Sequence, residues 1–315
     1  MIETTSSSPR RQVRWSRRHY RRFGVAAALL AFVSTAVALH WHERVYFYLT
    51  EQMHASADTT TNRWLPGYHV AIEGKVVDGV ERNLSSITYD GDLDRLLAVV
   101  NGGPTELLVL SKTGEPLEHY PLTGFGDIEG VTYMGNGRVA VADERSQQIS
   151  VFQLPASPRA IDMSEAQFFS IGIELNGNKG FEGLSYDAAG DRLFIVKERD
   201  PRRLYEVRGV AASLDGPLQL SIIDRSAWID DQVFATDLSD VHFDAQTGHL
   251  ILLSDESHLA MELDGNGRMV SYRSFNAMTS DLKHSAPHPE GVTLDNDGTL
   301  YVVSEPNLFY SFRRD

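Results

Sequence analysis

The chain has 315 residues, of which 43 are acidic and 29 basic, and it contains no cysteine. Seven of the arginines precede His40, so the rest of the chain is strongly acidic. Such a domain has few of the Lys and Arg residues that phosphate contacts need, which argues against nucleic acid and anionic lipid as partners. Without cysteine, disulfides and thiol chemistry are excluded.

The N-terminal part of the sequence predicts a single membrane anchor. Residues 1–23 are rich in arginine, and the apolar and aromatic residues after them predict a transmembrane segment at 24–49. Residues 50–66 are predicted to form a linker and 67–315 the folded domain. The arginines before the apolar run and the acids after it place the N-terminus in the cytoplasm and the folded domain outside it, with a single pass through the membrane.

Export after signal cleavage is the alternative for this N-terminal part. Ser16-Arg17-Arg18 resembles a twin-arginine signal, and Ala36-Val37-Ala38 resembles a peptidase site. In both interpretations the folded domain works outside the cytoplasm.

The folded region repeats one motif five times, roughly 50 residues apart, which indicates a repeat architecture. Each copy is a turn, an apolar strand and a polar hairpin, followed by a buried run and a more open third strand. The copies begin the segments 84–90, 128–133, 181–187, 238–244 and 289–295. Units of three or four antiparallel strands, with no long helix between them, predict an all-β fold, a β-propeller.

The repeats predict five blades. The last unit stops after its third strand, at 308–312, and the segment 68–76 is predicted to supply the missing outer strand and close the ring. Six blades remain the alternative if residues 214–234 contain a degenerate blade.

Acidic residues recur at two places in the repeats. One set lies in the turn into the first strand, and the other follows the buried run. Equivalent positions of the first strands converge on the channel axis of a propeller. Clustered carboxylates take up protons or bind a cation, and calcium accepts such oxygen ligands. The candidate calcium ligands are therefore Glu129, Glu182, Glu290 and Asp240 from the first set, and Glu144, Glu198, Glu256, Glu305 and Asn101 from the second.

A structural role is the competing interpretation for each of these residues. Repeated acids also bond to the next blade or pair with arginine, and Arg145 and Arg199 directly follow Glu144 and Glu198. His288 is a candidate general base facing the channel, with a solvated loop histidine as the alternative. The sequence has no nucleophile elbow, phosphate-binding loop or zinc-protease motif, so it identifies no catalytic residue.

Several phrases resemble the SdiA-regulated (YjiK-like) family of bacterial envelope proteins. They are Asn83-Leu84-Ser85, Phe181-Glu182-Gly183-Leu184-Ser185-Tyr186, Ala142-Asp143-Glu144-Arg145 and Val303-Ser304-Glu305-Pro306-Asn307-Leu308-Phe309-Tyr310. The likeness runs from about Gly67 to the C-terminus. It implies a membrane-anchored β-propeller distantly similar to NHL-repeat proteins, with a calcium site and hydrolase activity as expectations. The first repeat has Ser85 and Asn101 in place of acids, so we expect an asymmetric metal site.

Two functions are consistent with these observations. The first is a membrane-anchored propeller that binds calcium and a small molecule or envelope protein at the channel mouth. The second is a calcium-dependent hydrolase of a phosphoester, lactone or ester, in which the metal activates water. The sequence names metal ligands but no nucleophile, which favours the first.

Overall fold

The computed structural model describes residues 17–38, 62–173, 175 and 177–314, of which the N-terminal range is a helix. Helix α1 spans Arg17–Ala38. In the described ranges, no helix has both the length and the apolar character needed to cross a bilayer. Residues 39–49 of the predicted anchor and 50–61 of the predicted linker lie outside the described residues, so the anchor stays a prediction.

The region after residue 61 forms five antiparallel blades around a central channel. The chain enters through β1 (Tyr68–Val76) and a preceding 3-10 turn (Leu65–Gly67). The first blade contains β2 (Leu84–Asp90), β3 (Arg95–Val100), β4 (Glu106–Leu110) and β5 (Pro116–Thr123). The second contains β6 (Ile128–Gly135), β7 (Arg138–Asp143), β8 (Gln148–Gln153) and β10 (Gln167–Ser170). Between β8 and β10 lie the two-residue β9 (Ile161–Asp162), which pairs with β5, and a 3-10 turn (Met163–Glu165).

The remaining three blades follow in chain order. The third contains β11 (Phe181–Asp187), β12 (Arg192–Lys197), β13 (Arg203–Arg208) and β14 (Ser221–Asp224), with helix α2 (Val210–Asp215) before its outer strand. Helix α3 (Ser226–Gln232) leads to the fourth blade, β15 (Asp240–Asp244), β16 (His249–Ser254), β17 (Leu259–Leu263) and β18 (Met269–Ser274). The fifth contains β19 (His288–Leu294), β20 (Leu300–Glu305) and β21 (Leu308–Arg314).

Strand β1 completes the fifth blade, as the sequence predicts. It pairs antiparallel with β21 from Tyr68 opposite Arg314 to Val76 opposite Leu308. The N-terminal segment of the domain is thereby joined to its C-terminal strand, which removes two exposed sheet edges. Tyr68 is buried in one apolar cluster with Phe312, so packing as well as backbone pairing closes the ring.

The alternative of a sixth blade is wrong. Residues 214–234 contain the end of α2, the short outer strand β14 and helix α3, and β14 pairs with β13 of the third blade. The sheets described after residue 61 therefore number five.

Apolar side chains fill the spaces between neighbouring blades. Val99 of the first blade and Val141 of the second belong to one buried cluster, and Ile149 and Ile195 join the second blade to the third in another. The second strand of a blade is buried on both faces, which explains its continuous apolar sequence.

The channel is closed in its middle by the third residue of each repeat, namely Ser86, Gly130, Gly183, Asp240 and Gly291. Glycine at this position allows close approach, because a Cβ on Gly183 would lie 2.4 Å from the Cα of Asp240. Asp240 is 1% exposed and accepts hydrogen bonds from the backbone N–H of Val292 at 2.8 Å and the hydroxyl of Ser86 at 3.3 Å. Asp240, a candidate ligand from the sequence, is therefore satisfied inside this central plug and faces neither end of the channel.

Candidate functional site: an acidic channel mouth

Strand register brings the two acidic sets to one end of the channel. In each blade the start of the first strand pairs with the end of the second strand: Leu84 with Val100, Ile128 with Asp143 and Phe181 with Lys197. The residue after each of these positions therefore lies beside the equivalent residues of the other blades. The first strands contribute an inner ring of Ser85, Glu129, Glu182, Ser239 and Glu290. The outer ring lies at the ends of the second strands and consists of Asn101, Glu144, Glu198 and Asp255, each directly after its strand, and Glu305, the last residue of β20.

Most of these side chains face one cavity of about 210 Å³, which we call the acidic mouth. Its lining consists of Glu129, Glu144, Asn178, Glu182, Glu198, Asp237, Ser239, Asp255, Glu290 and Glu305. Every side chain in this lining ends in a carboxyl, amide or hydroxyl group. The donor set contains oxygen ligands and neither sulfur nor imidazole, which suits calcium better than zinc.

Glu256, a candidate from the sequence, lies outside the acidic mouth. Its carboxylate pairs with the Arg199 guanidinium, and its side chain is 45% exposed. Asp255 occupies the outer-ring position instead, because it directly follows the last residue of β16. Two adjacent acids at 255 and 256 look equivalent in the sequence, and only the strand register separates them.

Carboxylate oxygens converge in two overlapping groups of three. One group contains Asp127, Glu129 and Glu144, and the other contains Glu144, Glu182 and Glu198; the atoms of each group lie within 4.8 Å of one another. Glu144 belongs to both groups. Each arrangement has the size of a cation site, but their surroundings differ.

The first group already has cationic and amide partners. The Asn101 side-chain amide donates to Asp127 at 2.6 Å and also to Glu129, and Arg145 pairs with Asp127 at 2.5 Å. These donors neutralise part of the charge that a metal ion would otherwise neutralise. Asn101, predicted as a ligand, therefore acts as a hydrogen-bond donor to the acids, and its side chain is absent from the lining of the acidic mouth.

The second group lacks such partners at its centre. Within the described residues, the Glu182 carboxyl hydrogen-bonds to the Glu144 carboxyl, and no amide or basic group donates to Glu182 or Glu290. Burial raises the pKa of Glu182 well above its ordinary value, and repulsion from Glu129 and Glu144 adds to the effect. Burial does the same to the pKa of Glu290, with Asp255 and Glu305 as the nearest charges.

Protons compete for the same oxygens at neutral pH. Burial raises the pKa of Glu129 to about 7, against the lowering effect of the hydrogen bonds from Ser85 and Asn101. Burial also raises the pKa of Glu144 to about 7, although the backbone N–H of Gly180 stabilises its ionised form. These two carboxyls therefore change protonation state near pH 7.

The rim of the mouth carries charged partners. Arg199 lies 3.0 Å from Glu198, yet burial still raises the pKa of that carboxyl. Burial likewise raises the pKa of Glu305. The Nδ1 of His288 lies 3.2 Å from Asp255, and the His288 side chain is 60% exposed. His288, the candidate base, thus sits at the solvated rim and is not part of the cavity lining.

The candidate ligands of the sequence omit three acids near the mouth: Asp127, Asp237 and Asp255. Asp237 accepts hydrogen bonds from the backbone N–H of Asp255 at 3.1 Å and Glu256 at 3.2 Å, so it shapes the rim. For Asp127 and Asp237 the sequence contained a signal, at the position three residues before the third residue of each repeat. Polar or glycine residues recur there, namely Asn83, Asp127, Gly180, Asp237 and His288.

The fold is similar to that of several solved structures. A luciferin-regenerating enzyme matches 78% of this chain and 95% of its own, at 11% identity and a TM-score of 0.48. A protein of unknown function from Bacteroides thetaiotaomicron matches 73% of this chain and 58% of its own, at 12% identity and a TM-score of 0.47. A structure of a nidogen/laminin complex matches 71% of this chain and 73% of its own, at 14% identity and a TM-score of 0.45.

The sequence itself matches the model of one protein family. The match covers residues 60–313, which include the lead-in to β1, all five blades and the acidic mouth. The chain therefore belongs to the SdiA-regulated family.

Proposed function

We propose that this propeller binds a calcium ion at its acidic mouth, and that a small molecule or an envelope protein binds over the ion. The observation that carries the proposal is the group of Glu144, Glu182 and Glu198, whose oxygens lie within 4.8 Å of one another. The Glu182 carboxyl hydrogen-bonds to that of Glu144, which brings no positive charge to the group. Arg199 lies beside Glu198 but not beside the other two, so a bound cation would offset the repulsion that disfavours ionisation of all three together.

Calcium fits this donor set better than the other common cations. It takes six to eight oxygen ligands in flexible geometry, whereas magnesium requires a tight octahedron. Glu144, Glu182 and Glu198 would hold the ion, and the Asn178 side chain in the lining offers a further oxygen. The remaining positions face the cavity, where a ligand supplies its own oxygens.

We further propose that the domain works in the bacterial periplasm, tethered to the inner membrane by its N-terminal segment. The arginine-rich start and the apolar run after it support this. Residues 62–67 lead into the domain at the end of the channel opposite the acidic mouth. Arg63 binds both Asp244 carboxylate oxygens there, each at 2.6 Å.

Calorimetric calcium titration of the full-length chain in detergent tests the metal proposal. Wild type should bind calcium saturably. Glu182→Gln removes one proposed carboxylate ligand and should weaken the affinity by about tenfold or more, which corresponds to about 1.4 kcal/mol per tenfold. Glu256→Gln is the matched control, because it removes the same charge from a neighbouring acid outside the mouth. Equal binding by the two variants, or no binding by wild type, would reject the proposal.

A calcium-dependent hydrolase is the second candidate, because the carboxylates line an open cavity and do not form a closed cage. A bound ion would supply Lewis-acid activation of water or of a carbonyl or phosphoryl oxygen. Ester, lactone and phosphoester substrates should be screened with calcium and with chelator. Turnover that needs calcium and is lost in Glu182→Gln but kept in Glu256→Gln would support this candidate. Calcium binding without turnover of any class would leave the binding function.

A further inference from the structure

A second cavity lies at the opposite end of the channel, and the proposed calcium site does not use it. It has a volume of about 140 Å³, and none of its lining residues belongs to the acidic mouth. The central plug around Asp240 separates the two. Tyr89, Tyr133 and Tyr186 form one side of its wall, and we call it the tyrosine mouth.

The floor of the tyrosine mouth is a ring of hydroxyl groups that joins neighbouring blades. Thr88 accepts a hydrogen bond from the backbone N–H of Tyr133 at 3.2 Å, and Thr132 accepts one from that of Tyr186 at 3.1 Å. Ser185 accepts from the N–H of Phe243 at 2.8 Å. Thr293 is the equivalent residue in the fifth blade, so four of five blades have a hydroxyl here.

His242 takes the place of the hydroxyl in the fourth blade. Its Nδ1 lies 3.2 Å from the Thr293 hydroxyl, and within the described part of the chain its Nε2 has no protein partner. His242 is one of the residues that line the cavity, so its Nε2 is available to a ligand there. Burial lowers the pKa of His242 to about 4, so the imidazole is neutral at pH 7.

The donor and acceptor roles of the two imidazole nitrogens depend on which tautomer His242 adopts. The other ring hydroxyls accept from N–H groups, and if Thr293 does the same, Nδ1 of His242 carries the proton. Nε2 then offers a lone pair to the cavity. A ligand that matches it must donate a hydrogen bond.

The charged groups of the wall already have partners. Arg63 binds both carboxylate oxygens of Asp244. Asp295 accepts from the Tyr301 hydroxyl at 2.9 Å and the backbone N–H of Thr299 at 2.8 Å. The cavity therefore provides no unpaired ion for a charged ligand, and its volume of about 140 Å³ is enough for one aromatic ring.

We propose that the tyrosine mouth binds a small neutral aromatic molecule of phenol size that donates a hydrogen bond to Nε2 of His242. The ring of the ligand packs against Tyr89, Tyr133 and Tyr186, whose flat faces suit offset or edge contacts. The hydroxyl floor and the central plug limit how deep it enters. Peptides and larger cofactors are excluded by volume.

Titration of the full-length chain with phenol tests this site, with anisole as the matched ligand that lacks the donor. Phenol should bind saturably and anisole about tenfold more weakly, as expected for one lost hydrogen bond. His242→Thr restores the hydroxyl found in the other blades, and it should lower phenol affinity by a similar factor. Glu256→Gln should leave phenol binding unchanged, because that exposed residue lines neither cavity.

A measurement on wild type keeps the test independent of how the variant folds. The ¹⁵N resonance of His242 Nε2 should move as phenol is added and should stay in place when anisole is added at the same concentration. Lack of saturable phenol binding, equal affinity for anisole, or an unperturbed Nε2 resonance at saturation would overturn the proposal and leave a cavity filled by water.

Discussion

A single amide explains much of the asymmetry of the acidic mouth. Asn101 occupies the outer-ring position that is acidic in the other four blades, and it donates to both Asp127 and Glu129. An amide at this place gives two carboxylates a donor without adding a charge. The unmet charge therefore lies on the other side, around Glu182, where we propose the ion.

The raised pKa values of the mouth predict how stability depends on pH without calcium. A carboxyl whose pKa is about 7 in the folded state and about 4.5 unfolded holds more protons when folded across that interval, so stability falls as pH rises through it. Wild type should lose unfolding free energy between about pH 5.5 and 7.5. Over the same interval Glu129→Gln should lose about 2 kcal/mol less than wild type. Urea unfolding in chelator measures this.

Two comparisons make this pH prediction specific to the mouth. Glu256→Gln, which changes an exposed acid paired with Arg199, should keep the wild-type loss. Saturating calcium should remove the loss, because the ion binds the deprotonated carboxylates and gains affinity as pH rises. A wild-type protein that is more stable at the higher pH in chelator, together with an unchanged Glu129→Gln profile, would contradict the pKa argument.

At the scale of elements, the sequence predicted the blades well because each blade is locally encoded. The turn, the apolar first strand, the polar hairpin and the buried second strand recur with the periodicities that their burial requires. The closing strand 68–76 was predictable because the fifth repeat lacks an outer strand, and its pairing with β21 is confirmed.

Features that depend on distant contacts were not predictable in the same way. The two-residue strand β9 pairs in parallel with β5, through Leu122 and Ile161, and nothing in its own sequence marks it as a strand. The choice between Asp255 and Glu256 depends on the register with the first strand. The partners of Asp240 come from two other blades, so its burial could not be read from the local sequence.

The closing strand provides a test at this scale. Tyr68 is 1% exposed and packs against the fifth blade, whereas Val76 on the same strand is 52% exposed. Tyr68→Ala should lower the free energy of unfolding by about 3 kcal/mol, because it leaves a cavity at the ring closure. Val76→Ala should change it by less than about 0.5 kcal/mol. Equal effects in urea unfolding would mean that β1 contributes pairing without packing.

At the scale of the whole molecule, the channel has two chemically different ends. The N-terminal starts of the first strands carry the acids, and their C-terminal ends carry hydroxyls, tyrosines and His242. The plug keeps the two sets of groups apart, so each end can bind its own ligand. Arg63 contacts the domain at the tyrosine end, through Asp244.

The width of the plug sets the geometry of both ends, and glycine makes that width possible. A Cβ at Gly183 would lie 2.3 Å from a carboxylate oxygen of Asp240, whereas a Cβ at Gly172 would meet nothing within 4 Å. Gly183→Ala should therefore force the first strands apart and cost about 1–3 kcal/mol in urea unfolding. Gly172→Ala should cost less than about 0.5 kcal/mol.

Because Glu182 adjoins Gly183, we also expect weaker calcium binding in Gly183→Ala alone. A stable Gly183→Ala protein with wild-type calcium affinity would show that the blades adjust without moving the acids, and that the plug does not set the site.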